Sequence, residues 1–114
     1  MDIQRVGVVG CGLMGSGIVE AAARADLDVR VVDLDQASLD RGRQRISDSI
    51  GRAQKAAKLS ESEAEAAIAN IEYSADLGSL ADRQLVVETE DKAMGFWGGS
   101  GWERQGHRVR FVRG

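Results

Sequence analysis

One cysteine and one histidine occur among 114 residues, and aromatic side chains make up only 4% of the chain. Cys11 has no second thiol for an internal disulfide and too few companions for a zinc cluster, which fits a reducing compartment and leaves the fold without a covalent or metal staple. No apolar run approaches the ~20 residues that a membrane helix requires. The opening Met1-Asp2-Ile3-Gln4-Arg5 has neither the basic start nor the apolar core of a secretory signal, so the expected location is the cytoplasm. With a formal net charge of -3 and a pI near 5.1, there is no excess of positive charge to draw the whole chain to nucleic acid or an anionic membrane. The length fits a single core and excludes a two-domain enzyme.

What the chain does contain is concentrated near its start. Residues 3–9 hold Ile3, Val6, Val8 and Val9, a short β-branched run apolar toward its end, and predict a buried parallel strand. The spacing of Met14, Ile18, Ala21, Ala22 and Ala25 predicts a helix over 13–25 with those residues on its inner face. Between them lies Gly10-Cys11-Gly12-Leu13-Met14-Gly15, a G-x-G-x-x-G run. A bare match of three glycines in a chain with 14 is weak, but here it closes a strand and opens a helix. A second predicted strand over 28–34 follows and carries Asp33, 18 residues after Gly15.

Each residue of that set has a physical task in dinucleotide binding. Gly10 permits the tight turn out of the strand, Gly12 lets a pyrophosphate approach the backbone without meeting a Cβ, and Gly15 lets the helix press against the sheet. The helix-start amides, with their partial positive charge, face the phosphates. Asp33 would accept hydrogen bonds from the adenosine ribose, and its charge would repel a 2′-phosphate, so NAD is favoured over NADP. Cys11 sits at an unspecified position of the run and reads as inert filler.

Asp35 is a candidate N-cap for a long helix whose stripe of Leu39, Ile46, Ile50, Ala53 and Ala57 faces inward while Arg41, Arg43, Asp48 and Arg52 face water. Ser60-Glu61-Ser62-Glu63 matches the capping box of a further short helix. A brief strand over 71–74, a helical turn over 77–81 and a strand over 84–88 complete a βαβααββ order. Strands separated by helical segments predict a partial Rossmann-type α/β fold: a parallel sheet of about four strands with helices on both faces.

Past Glu90 the composition shifts. Residues 91–114 hold six glycines, both tryptophans, both phenylalanines, and five basic residues against two acidic. Residues 1–91 are therefore expected to form the partial dinucleotide-binding domain and 92–114 an irregular Gly/Arg/Trp-rich tail, although residues 107–112 alternate like a strand. A strand at 84–88 ending the sheet would leave Val86 and Val87 at an open edge prone to self-association, unless residues 107–112 cover it. A tail that binds single-stranded nucleic acid through Trp97, Trp102 and its arginines is the minority reading beside a disordered one.

The stretches VGVVGCGLMGSGIVEAAARA, VVDLD, SADL and ADRQLVVE together resemble the NAD-dependent 3-hydroxyacyl-CoA dehydrogenases, especially the bacterial 3-hydroxybutyryl-CoA dehydrogenases, over residues 3 to about 91. The resemblance implies oxidation of the 3-hydroxyl of an acyl-CoA to a ketone with NAD as cofactor and no metal. It implies that residues 10–15 hold the pyrophosphate, that Asp33 holds the ribose and that Glu90 contacts the nicotinamide side. It also implies that Ser49 and Lys55, on the long helix, lie near coenzyme A. The family's catalytic serine, histidine and glutamate pair, and asparagine have no counterpart in this sequence, because His107 stands in the tail, outside any family motif. The shift at Thr89 and Glu90 points to a disrupted reading frame, and the alternatives to an enzyme's cofactor half are a non-catalytic NAD-sensing module and an inactive fragment.

Overall fold

The computed structural model describes residues 3–89 in full and the backbone of residues 109–111. Elements follow the order β1 (Arg5–Val9), α1 (Leu13–Arg24), β2 (Asp28–Val32), α2 (Gln36–Lys55), α3 (Glu61–Ala69), β3 (Ile71–Ser74), a 3₁₀ turn (Leu77–Leu80), β4 (Leu85–Glu88) and β5 (Val109–Phe111). The strands lie side by side as β3-β2-β1-β4-β5. The first four are parallel, so β1 is central and its carboxyl end carries the glycine run between its two neighbours.

Alternation along the strands divides the core in two. Val6, Val8, Val29 and Val31 point to one face, where they pack with Val19 and Ala23 of α1, Leu39, Ile46 and Ile50 of α2, and Ala64 and Ala67 of α3. Val9, Val32 and Val86 point to the other, where Leu77 and Leu80 of the 3₁₀ turn cover them. Among the described residues helical segments thus lie on both faces, but unevenly: three α-helices on one and a single turn on the other. Each fully buried valine or isoleucine is worth roughly 1.5–3 kcal/mol relative to exposure, so the three-helix face dominates the apolar stabilisation.

The helix starts follow from their side chains. Asp35 accepts from the Ala37 amide at 3.1 Å, and Ser60 and Glu63 exchange bonds at 3.1 and 2.8 Å as a reciprocal capping box. In α1 the inner face differs from the expected one. Gly15, Ser16, Val19 and Ala23 are buried, whereas Met14 is 67% exposed and Ala21 and Ala25 face solvent. This helix is small or apolar on nearly every side, so its period does not single out a face; the close approach at Gly15 does.

At the amino end of the sheet a buried guanidinium holds the turns together. Arg83, 1% exposed, forks onto both oxygens of Asp82 at 2.9 Å and donates to the Asp28 carbonyl while pairing with its carboxylate, both at 3.2 Å. Arg30 joins Asp82 at 3.2 Å and Glu72 at 2.9 Å. Of the two expectations for the outer edge of β4, open or covered by residues 107–112, the second holds: β5 takes it antiparallel and pairs Leu85 with Phe111 and Val87 with Val109. The remaining expectations for residues 92–114 fall outside the described residues.

The Arg83 hydrogen bonds, reinforced by nearby positive charge, hold the Asp82 carboxyl down at about 2. A carboxylate depressed on folding contributes stability that is full above its unfolded value near 4 and is lost as pH falls through its folded value. Asp82→Asn should therefore lower the urea midpoint at pH 7 and approach the unsubstituted chain as pH falls from about 4 to about 2. A midpoint difference constant from pH 7 to pH 2 would contradict this pairing.

Candidate dinucleotide site at the carboxyl end of the sheet

Beyond β1 the chain must turn sharply, and Gly10 does so at φ 103°, a conformation that favours glycine. Its amide still donates to the Val32 carbonyl at 2.8 Å, extending the β1–β2 pairing by one residue. Helix α1 then begins at once, with Gly12 as a cap that offers no side chain and with no acidic residue in its first turn. The partial positive charge of the helix start is therefore not offset by the chain's own capping carboxylate.

Gly15 is held tightly by its surroundings. A Cβ there would lie 1.9 Å from the Gly10 carbonyl oxygen and 3.2 Å from Thr89 Oγ1. The first and third glycines of the run therefore touch each other, which folds the loop flat against the first turn of α1. Thr89, just past β4, fixes the same point: its amide and hydroxyl both donate to the Val9 carbonyl, at 3.0 and 2.8 Å.

Asp33 reaches this loop from the end of β2. One carboxylate oxygen accepts from the Cys11 amide at 3.1 Å, the other from the Asp35 amide at 3.1 Å, and its own amide donates to the Ser74 carbonyl at 3.2 Å. The carboxylate is partly exposed. Each of its oxygens has a further lone pair, so it can latch the loop and still accept from a hydroxyl.

On the other side of the loop the Cys11 side chain is 1% exposed and packs on α2 at Gly42, where a Cβ would meet its sulfur at 2.1 Å. Arg45, one turn further along α2, donates to Ser16 Oγ at 3.2 Å and reaches the Cys11 carbonyl at 3.5 Å. Leu13 and Met14, by contrast, are 78% and 67% exposed over the mouth of the loop.

The fold therefore brings Gly10, Cys11, Gly12, Leu13, Met14, Gly15 and Asp33 into one place. Ser49 lies elsewhere, in the groove between α1 and α2, and Lys55 is exposed in the last turn of α2, not among the residues lining that groove. Glu90 is outside the described residues. Sequence reasoning missed Thr89, Gly42 and Arg45. Only Gly42 carried a signal: a glycine inside a long amphipathic helix costs about 1 kcal/mol against alanine, which marks a close approach.

Among the described residues no group of three or more histidine, cysteine or acidic side chains is placed to hold a metal, and no helix is long and apolar enough to cross a membrane. Residues 5–94 match the family model for the NAD binding domain of 3-hydroxyacyl-CoA dehydrogenase. A 3-hydroxybutyryl-CoA dehydrogenase of Mycobacterium tuberculosis H37Rv is 48% identical over 94 residues, which is 81% of this chain and 33% of that protein. A probable 3-hydroxybutyryl-CoA dehydrogenase of Deinococcus radiodurans is 40% identical over 84 residues, 74% of this chain and 30% of that one. Among solved structures, M. tuberculosis FadB2 superposes with a TM-score of 0.77 at 47% identity, covering 79% of this chain and 32% of its own. The (S)-3-hydroxybutyryl-CoA dehydrogenase PaaH1 of Ralstonia eutropha gives 0.77 at 32% identity, covering 83% and 35%. The chain spans about a third of the length of the curated relatives it matches.

Two glycines of the same helix separate the loop's constraint from helix propensity. Gly17 has nothing within 4 Å of where a Cβ would stand, so Gly17→Ala should leave the chain as stable or raise stability by up to about 1 kcal/mol. Gly15→Ala should cost about 1–3 kcal/mol through overpacking. Urea melts of both variants check this, and equal stabilities would contradict the contact.

Proposed function

The chain belongs to the NAD-binding domain family of the 3-hydroxyacyl-CoA dehydrogenases, and from this premise we propose that it is the cofactor-holding part of an oxidoreductase that converts 3-hydroxyacyl-CoA to 3-ketoacyl-CoA. The residues of the glycine loop and Asp33 would hold NAD, the cofactor of this domain family, which would supply the hydride acceptor. The observation that carries the reading for these residues is the loop itself. Gly10 and Gly15 are in contact, the α1 start has no side-chain cap, and a two-oxygen carboxylate stands beside it.

In this reading the backbone of residues 12–15 receives the pyrophosphate, and Leu13 and Met14 cover it with apolar surface. Asp33 accepts from the ribose hydroxyls with the lone pairs that Cys11 and Asp35 leave available. Its charge disfavours a 2′-phosphate. Cys11 contributes packing against Gly42, not chemistry. Glu90, two residues beyond the end of β4, is assigned to the nicotinamide side by resemblance. The catalytic groups of the family have no counterpart in residues 1–114, so proton transfer at the substrate hydroxyl falls to parts that the longer relatives possess. The domain works in the cytoplasm, in keeping with a sequence that holds a single cysteine.

Calorimetric titration of the chain should give binding of NAD well above NADP. Asp33→Ala should lower NAD affinity about tenfold or more, as expected for loss of a charged hydrogen-bonding group, and should narrow the gap to NADP. Equal affinity of the variant and the unsubstituted chain for NAD would remove Asp33 from the site, and no binding of either dinucleotide would overturn the reading.

A further inference from the structure

Behind the glycine loop the Cys11 carbonyl is held by three residues. The Ser16 hydroxyl donates to it at 3.3 Å, Arg45 reaches it at 3.5 Å while donating to the same hydroxyl at 3.2 Å, and a Cβ on Gly42 would stand 2.7 Å from its oxygen. The carbonyl therefore faces α2. Every described peptide bond is trans, which sets C=O and N–H on opposite sides of the unit, so the amide of the next residue, Gly12, faces away from α2. Among the described residues that amide donates to no protein acceptor. Ser16 is 3% exposed, so water competes little for the bonds that run through its hydroxyl. Arg45 is half-buried and takes part in no ion pair among the described residues, so no carboxylate draws its guanidinium off the loop.

We propose that Arg45 is a positioning residue for the dinucleotide: through the Ser16 hydroxyl and the Cys11 carbonyl it keeps the Gly12 amide aimed at the pyrophosphate. The proposal rests on the cofactor reading above. Without this latch the Cys11–Gly12 peptide has a glycine on one side, whose backbone accepts either orientation at little cost. One orientation offers the phosphate oxygens an N–H donor, and the other offers them a carbonyl that repels them. Fixing the first in advance moves the cost of ordering from binding to folding. The guanidinium also places a positive charge directly behind the loop, an attraction that grows with the charge of the ligand's phosphates. Asp33 holds the N–H of Cys11 from the other side, so the two peptide units flanking Cys11 are set by different residues. Arg45 acts only through the loop.

The test titrates the full chain with NAD, ADP-ribose, inorganic pyrophosphate and adenosine, reading affinity from calorimetry and amide chemical shifts. Arg45→Gln should weaken NAD, ADP-ribose and pyrophosphate about tenfold, as expected for loss of a charged hydrogen-bonding group, and leave adenosine unchanged, because adenosine carries no phosphate for the Gly12 amide. Arg45→Lys should recover part of the loss. Ser16→Ala removes the relay but keeps the charge, and it should weaken the same three ligands by less than Arg45→Gln does. Adenosine affinity falling in step with ADP-ribose would reduce Arg45 to packing and overturn the proposal. Pyrophosphate and NAD affinities unchanged in both Arg45→Gln and Ser16→Ala would also overturn it, and would leave the cofactor reading standing. Pyrophosphate bound and weakened by Arg45→Gln, with no binding of NAD, would overturn the cofactor reading and keep the positioning role. No binding of any of the four by the unsubstituted chain overturns both.

Discussion

The contact between Gly15 and the Gly10 carbonyl is the constraint on which the rest of the site depends. With any side chain at residue 15, α1 would have to move away from the end of β1, and the helix start would no longer lie over the central strand. Everything around the contact serves to keep it. Thr89 ties β4 to the last carbonyl of β1, Asp33 ties β2 to the Cys11 amide, and Gly42 with Arg45 ties α2 to the other side of the same loop. Three segments distant in sequence thus converge on the loop and the end of β1. A loop braced in this way can present its amides to an anion without first being ordered, which is how preorganisation turns packing into affinity.

The two ends of the sheet are built differently. At the amino end the interactions are ionic, with Arg83 and Arg30 gathering Asp28, Glu72 and Asp82 around the turns. At the carboxyl end the glycine loop and helix start take part in no ion pair among the described residues, and Asp33 accepts from two backbone amides. Charge is therefore balanced where the chain needs only to fold, and left unbalanced where a phosphate would sit.

Much of this was legible in the sequence. The strands at 5–9, 28–32, 71–74 and 85–88, the capping box at Ser60 and the N-cap at Asp35 all announce themselves locally, through β-branched runs and short-range hydrogen bonding. So did the loop, because strand, glycines, helix and acid fall in one order along the chain. The inner face of α1 was misread, since a helix of alanine, glycine and isoleucine offers no polar face to orient it. Thr89 and Arg45 were not derivable, because each depends on which distant backbone comes alongside, whereas the covering of the β4 edge by residues 107–112 was one of the two alternatives left open by their strand-like alternation. Asp33 illustrates the division: its place at the end of β2 was visible, whereas its bond to Cys11 is a tertiary fact.

The central claim is that the amides of the glycine loop are the surface that meets the dinucleotide phosphates. Amide chemical shifts of the isotopically labelled chain, followed during addition of NAD, test it most directly. The account requires the largest changes at Gly12, Leu13, Met14 and Gly15, with smaller ones at Asp33 and its neighbours. Saturation by NAD with those amides unmoved and the changes located elsewhere would contradict it.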